Sequence, residues 1–254
     1  MQPEPQDTSP AEISPPPVPL RPQREPFWGY DDLAMVVGLI VAGLVLIGLA
    51  VALIASFVPS LRADPTPLLL PGNLVIYLLV YVAFWLVIGL RYGRPVFSSL
   101  GWRRTNVNLA IAGAGGVGLA FALSAFASLV KTPKIPLPFE EMTKSAWSFA
   151  LFAIMAAVIA PIFEELFFRG FIQPLLIRTF GVVAGILVTA GLFGALHAPE
   201  YADAWQYALT VALAGAAFGW VRERTKSIIP GTVMHGCFNA VSVIALVLSK
   251  HTKG

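Results

Sequence analysis

The chain has 254 residues, of which 57% are hydrophobic and only 12% are charged. Soluble domains carry about 25% charged residues, so this composition excludes an ordinary soluble protein and predicts an integral membrane protein. The net charge of +3 is small. The basic residues lie mostly between apolar runs, a pattern typical of membrane topology and not of nucleic-acid binding.

The chain begins with a proline-rich segment. Residues 1–26 hold nine of the 21 prolines. Such a composition cannot build a packed core, so we predict a disordered tail over residues 1–30.

Seven apolar runs follow the tail. They lie at about 33–58, 72–90, 107–130, 146–168, 182–197, 205–221 and 227–249. A helix needs roughly 20 apolar residues to cross a bilayer, and lipid does not tolerate open sheet edges. The predicted fold class is therefore all-α, a polytopic transmembrane helical bundle with about seven spans. We divide it into N-terminal transmembrane helices, residues 31–145, and a helical core, residues 146–249.

One stretch, 146–181, is too long for a simple crossing and contains Pro161 and Pro174. It predicts either a long kinked helix or a span followed by a half-inserted segment.

Lysine and arginine between the apolar runs predict the orientation. The tail, the 91–104 loop, the 169–181 turn and the 222–226 loop contain 11 of them, and the other side contains 6. Cytoplasmic loops carry the excess of these residues. The prediction is a multi-pass integral membrane protein with a cytoplasmic N-terminus.

Four ionisable groups stand out in or beside the apolar runs: Glu164, Glu165, His197 and His235. A charge at the bilayer centre costs on the order of 2.5–3.5 kcal/mol by insertion scales. A single membrane histidine is often only an interhelical hydrogen-bonding group, and a carboxylate near a helix end can extend its side chain to water. Four such groups in one half of the chain indicate a functional site.

Helical spacing separates their roles. Glu165 and Arg169 are four residues apart and can form an ion pair, which we interpret as structural. Glu164 is rotated about 100° from its neighbour by the helical period and is free to point elsewhere. His235 and Asn239 are also four residues apart, so an imidazole and an amide share one face.

A carboxylate, two imidazoles and an amide in an apolar cavity are suited to activating a water molecule. Glu164 would be the general base, His197 would hold the same water, and His235 and Asn239 would donate to a developing oxyanion. Peptide-bond hydrolysis fits these groups, and so does proton or ion relay.

A metal is the other use of these side chains. Glu164, His197 and His235 match a catalytic zinc ligand set with one open position, but the chain lacks the HExxH helix motif. The cofactor prediction is therefore none, or a divalent metal such as zinc.

Three motifs occur in order: EExxxR from Glu164 to Arg169, FxxxH from Phe193 to His197, and HxxxN from His235 to Asn239. Together they resemble the CPBP family of CAAX proteases and bacteriocin-processing enzymes, also called Abi, which includes the Ras-converting type of prenyl-protein protease. The resemblance covers about residues 146–249.

This resemblance implies an all-helical intramembrane endopeptidase. It suggests Glu164 as base and His197 as its water-positioning partner, with His235 and Asn239 at the oxyanion. Glu165, Arg169 and Phe193 would support the site. The family is often described as metalloproteases, and a metal-free, glutamate-based mechanism is the competing view.

The function predicted is hydrolysis of membrane-associated proteins or peptides, prenylated CAAX proteins among them. The partners are then a membrane-bound substrate, lipidated or not, and the lipid bilayer, with no nucleic acid. Two alternatives remain open: a non-proteolytic membrane immunity or scaffold protein of the same fold, and a proton or ion transporter.

Simple span counting places Glu164 near the cytoplasmic end of its helix and His197 near the opposite end of its own. They can meet only if a helix is displaced or broken. We therefore predict that 146–181 is a long or kinked helix with Glu164 well inside. A separation of more than about 10 Å between the carboxylate and the His197 ring would contradict general-base catalysis.

Overall fold

The computed structural model describes residues 25–58, 60, 68–133, 146–201 and 204–251. All regular structure in these residues is helical, so the predicted all-α fold is confirmed. Most of the predicted proline-rich tail, residues 1–24, lies outside the described residues.

Eight helices are formed by the described residues. They are α1 (Tyr30–Phe57), α2 (Leu69–Phe84, continued by a π-helical Trp85–Arg91), α3 (Val96–Ser99), α4 (Leu109–Leu129), α5 (Ala146–Phe180), α6 (Val182–His197, followed by a 3₁₀ turn Ala198–Tyr201), α7 (Trp205–Thr225) and α8 (Ile229–His251). Six of them, α1, α2, α4, α5, α6 and α8, are long and apolar enough to cross a membrane. The remaining predicted run, 205–221, lies in α7, whose last turns are charged. The chain is an integral, multi-pass membrane protein.

Helix α5 is a continuous helix of 35 residues. At 1.5 Å per residue it is about 52 Å long, well above the roughly 30 Å of a hydrocarbon core. It contains two π-helical segments, Met155–Ile159 and Glu165–Ile172, separated by the α-helical Ala160–Glu164. Glu164 therefore lies near the midpoint of one long helix, as predicted, and its depth in the bilayer stays a prediction.

The 169–181 turn predicted from the apolar runs is also wrong. The helix continues to Phe180 and ends at Gly181, which has a φ of +82°. Arg169 is fully buried inside this helix and does not belong to a loop. Arg178 lies in this helix as well, so the predicted turn contributes no loop arginine, and the cytoplasmic orientation of the N-terminus stays a prediction.

The helices of the second half pack around α5. Its C-terminal part packs against α6, α6 packs against α7, and α8 packs against both α4 and the π-helical segment Met155–Ile159. Helix α2 contacts the Ala160–Glu164 segment. The site is therefore enclosed by helices that reach α5 from several sides.

Large apolar side chains are exposed on the outer surface of the helices, as expected for a surface that faces lipid. On α1, Leu46 is 66% exposed and Phe57 is 79% exposed. Burying such a side chain stabilises a fold by about 1.5–3 kcal/mol, so a helix with a continuous exposed apolar surface is stable only in lipid. The first turn of α1 is instead fixed to the protein by a polar contact, because the buried Asp32 forms an ion pair with Arg91 at 3.1 Å.

Candidate active site

Two imidazoles from different helices face the carboxylate of Glu164. Its Oε2 atom lies 3.9 Å from Nε2 of His197 and 3.7 Å from Nε2 of His235. Helix α5 supplies the carboxylate, and α6 and α8 supply one ring each. The separation that would have contradicted general-base geometry is thus not found.

The other nitrogen of each ring is held in place. Nδ1 of His197 lies 2.7 Å from the carbonyl oxygen of Phe193, and Nδ1 of His235 lies 3.1 Å from Oε1 of Glu165. Both oxygens are acceptors, so Nδ1 carries the proton in each case. In the neutral imidazoles the Nε2 lone pairs then point toward Glu164.

These distances exceed the 2.7–3.2 Å of a direct hydrogen bond, and polar groups at such a spacing are typically joined by a water molecule. The Glu164 and His197 side chains are 21% and 20% exposed, whereas His235 is only 5% exposed. A water molecule could therefore enter from the exposed side, where Glu164 and His197 lie, and contact both the Glu164 carboxylate and Nε2 of His197.

Behind this cluster lies a fully buried ion pair. Nη1 of Arg169 is 3.0 Å from Oε1 of Glu165, and both side chains are completely buried. The guanidinium carbon lies 4.4 Å from the ring centre of Phe193. The predicted Glu165–Arg169 pair is therefore formed, and the same Glu165 oxygen also orients His235.

Two glycines of α7 let polar side chains of α5 reach a helix backbone. Arg169 donates through Nη2 to the carbonyl of Gly215 at 2.8 Å, and Gln173 donates to the carbonyl of Gly219 at 2.9 Å. A Cβ atom at Gly215 would come within 2.9 Å of the Arg169 Nη2 atom. Small residues are thus required where α5 approaches α7.

Asn239 has a different neighbour from the one predicted. Its Nδ2 atom donates to the carbonyl of Ala156 at 2.9 Å, in the first π-helical segment of α5. One amide hydrogen therefore stabilises a departure from α-helical geometry. The other hydrogen is not used by that bond.

The metal prediction depends on three side chains being close enough together to share one ion. Among the described residues there is no group of three or more His, Cys, Asp and Glu side chains arranged to hold a metal ion. The residues as placed do not form a metal site, so no step below passes through a metal.

Several groups near Glu164 were missed by sequence reasoning. Tyr77 of α2 stacks on Phe163, the residue before Glu164, with ring centres 5.0 Å apart. Glu200 lies in the 3₁₀ turn Ala198–Tyr201, three residues after His197. Their positions depend on how separate helices pack, so only the hydroxyl and the carboxylate themselves were visible in the sequence.

Comparison with known proteins found one similar family. Residues 146–241, somewhat more than a third of the chain, match the family described as Type II CAAX prenyl endopeptidase Rce1-like. No curated protein and no solved structure matches the chain. The segment that carries Glu164, His197, His235 and Asn239 therefore matches this family model, and the resemblance found in the motifs is confirmed.

Proposed function

We propose that the protein is an intramembrane endopeptidase that hydrolyses membrane-associated proteins or peptides, prenylated CAAX proteins among them, with a water activated by Glu164. The observation that carries this proposal is the carboxylate of Glu164 facing the Nε2 atoms of His197 and His235. General-base hydrolysis requires a base within hydrogen-bond reach of the water that it activates, and the two imidazoles can orient that water.

In the first step Glu164 takes a proton from the water while the water oxygen attacks the peptide carbonyl carbon. Nε2 of His197 accepts the second hydrogen of this water and thereby orients its lone pair. The carbonyl π electrons move to oxygen, which becomes an oxyanion. In the second step the oxyanion collapses, the C–N bond breaks, and the proton on Glu164 passes to the leaving nitrogen.

The neighbouring groups support this sequence of steps. Glu165 accepts from Nδ1 of His235 and orients that ring; once its Nε2 has taken up a proton from solvent, that nitrogen can donate to the oxyanion. The free hydrogen of Asn239 is a second candidate donor. Arg169 balances the charge of Glu165 and prevents two unpaired carboxylates from lying side by side.

The test compares the purified wild-type protein with Glu164→Gln in proteoliposomes. The probe is a set of fluorogenic membrane peptides, some with a prenylated CAAX C-terminus. Glutamine keeps the size of the side chain and removes the base, so the rate should fall about 10²–10⁴-fold. Glu223→Gln, at the charged end of α7, is the matched control and should cleave at the wild-type rate.

The two alternatives predict other results. Equal cleavage by the wild type and Glu164→Gln would refute the role of Glu164 as base. A pH-dependent ion flux that Glu164→Gln abolishes, without any peptide cleavage, would favour a transporter. A cellular function that Glu164→Gln leaves intact would favour an immunity or scaffold protein.

A further inference from the structure

Helix α2 lies outside the segment that matches the protease family, yet it places a tyrosine ring beside the residue that precedes Glu164. Tyr77 belongs to this helix, which contacts the Ala160–Glu164 segment of α5. Its ring is stacked on Phe163, the residue before Glu164, at 5.0 Å and an interplanar angle of 20°. The stack holds the Tyr77 ring beside the segment of α5 that carries the base.

The Tyr77 hydroxyl has no hydrogen-bond partner among the described residues, and the same holds for Tyr81 and Tyr201, whereas the other three tyrosines have one. The Tyr30 hydroxyl contacts Thr179 at 2.6 Å, Tyr92 donates to Asp32 at 2.7 Å, and Tyr207 donates to the carbonyl of Pro133 at 3.0 Å. Tyr77 lies inside a candidate membrane span, where an unsatisfied polar group is costly. Its hydroxyl is therefore available to a partner that is not part of the helical bundle, and its place beside Phe163 distinguishes it from Tyr81, which packs on Phe97.

The site needs a hydrogen-bond donor of this kind. The predicted oxyanion donors are engaged in the free protein: Nδ1 of His235 by Glu165, and one hydrogen of Asn239 by Ala156. His235 can donate from Nε2 only after it gains a proton. A phenol is a neutral donor that needs no such step, and tyrosine hydroxyls act as oxyanion donors in other hydrolytic sites.

We propose that Tyr77 is a catalytic residue of this site and that its hydroxyl donates a hydrogen bond to the carbonyl oxygen of the scissile peptide. This inference rests on the proposed endopeptidase function. As the water oxygen forms its bond to the carbonyl carbon and Glu164 receives the water proton, the carbonyl oxygen gains the π electrons. The Tyr77 hydroxyl stabilises this negative charge and keeps its own proton when the C–N bond breaks.

The test is Tyr77→Phe, measured on a peptide that the wild type cleaves and Glu164→Gln does not. Phenylalanine keeps the ring on Phe163 and removes only the hydroxyl, so thermal stability should be unchanged. We expect kcat to fall roughly 10²-fold with KM nearly constant. Tyr81→Phe is the matched control, one helical turn along α2, where the ring packs against Phe97 instead; its kcat should equal that of the wild type.

A second measurement separates catalysis from packing. A peptide aldehyde, whose hydrate resembles the tetrahedral intermediate, should bind Tyr77→Phe more weakly than the wild type, whereas the corresponding peptide alcohol should bind both equally. Unchanged kcat in Tyr77→Phe would overturn the inference and leave the proposed function intact. A fall in kcat with equal loss of both inhibitors would also overturn it, because that result indicates a packing role. Loss of the difference between wild type and Glu164→Gln would instead refute the proposed function.

Discussion

Replacing Arg169 by methionine should destabilise the protein strongly, because it isolates a buried carboxylate. The guanidinium forms an ion pair with Glu165 at 3.0 Å, donates to the carbonyl of Gly215 at 2.8 Å, and lies over the Phe193 ring at 4.4 Å. Both charged side chains are completely buried. Methionine preserves the apolar volume and removes all three polar interactions.

Breaking a buried pair by removing one partner costs about 3–5 kcal/mol. For a chain of this size each kcal/mol lowers the melting temperature by about 2–4 °C. The Arg169→Met variant should therefore melt about 6–20 °C below the wild type. The double variant with Glu165→Gln removes the isolated charge and should recover a large part of this loss, since glutamine can still accept from Nδ1 of His235.

The assay is thermal unfolding of the detergent-purified protein, followed by intrinsic tryptophan fluorescence at a fixed heating rate. Arg224→Met is the matched control, because Arg224 is exposed and its loss should change stability by less than about 0.5 kcal/mol. The reasoning would be refuted if Arg169→Met melted with the wild type. It would equally be refuted if the double variant were no more stable than Arg169→Met.

Two further predictions concern the contact between α8 and the first π-helical segment of α5. Gly236→Ala should lower stability and activity together, because the added Cβ would lie 2.5 Å from the carbonyl oxygen of Ala157. Gly48→Ala is the control and should fold at wild-type yield, because nothing lies within 4 Å of its added Cβ. Equal expression and equal melting temperatures of the two variants would contradict the packing argument. Asn239→Ala should cost about 0.5–1.5 kcal/mol in unfolding experiments because it removes the hydrogen bond to the half-buried carbonyl of Ala156. An unchanged melting temperature with lost activity would assign Asn239 to catalysis alone.

Much of the architecture could be predicted from the sequence, because lipid allows only structures in which the backbone groups hydrogen-bond to one another. Apolar runs of spanning length in a weakly charged chain require helices, and the structure has them. The i,i+4 spacing of Glu165 and Arg169 already required a shared helix face, and the two side chains do form a pair. The cost of charges in lipid directed attention to Glu164, His197 and His235 before any contact was known.

The relations between helices could not be predicted in this way. Hydropathy marks a span but does not reveal that a helix continues beyond it, and so 169–181 was interpreted as a turn although Arg169 is buried within α5. Helical spacing assigns residues to faces but does not pair the faces of different helices. It therefore missed the bond from His235 to Glu165 and the one from Asn239 to Ala156.

The composition and the motifs of this chain determined that it is a membrane helical bundle and which side chains form its candidate site. Only the tertiary structure decided how α2, α5, α6 and α8 meet at Glu164, and which hydrogen-bond donors there are already engaged. The physical reason is that secondary structure follows from local periodicity and from the solvent. The arrangement of a site depends on close packing between segments far apart in the chain, such as Tyr77 against Phe163.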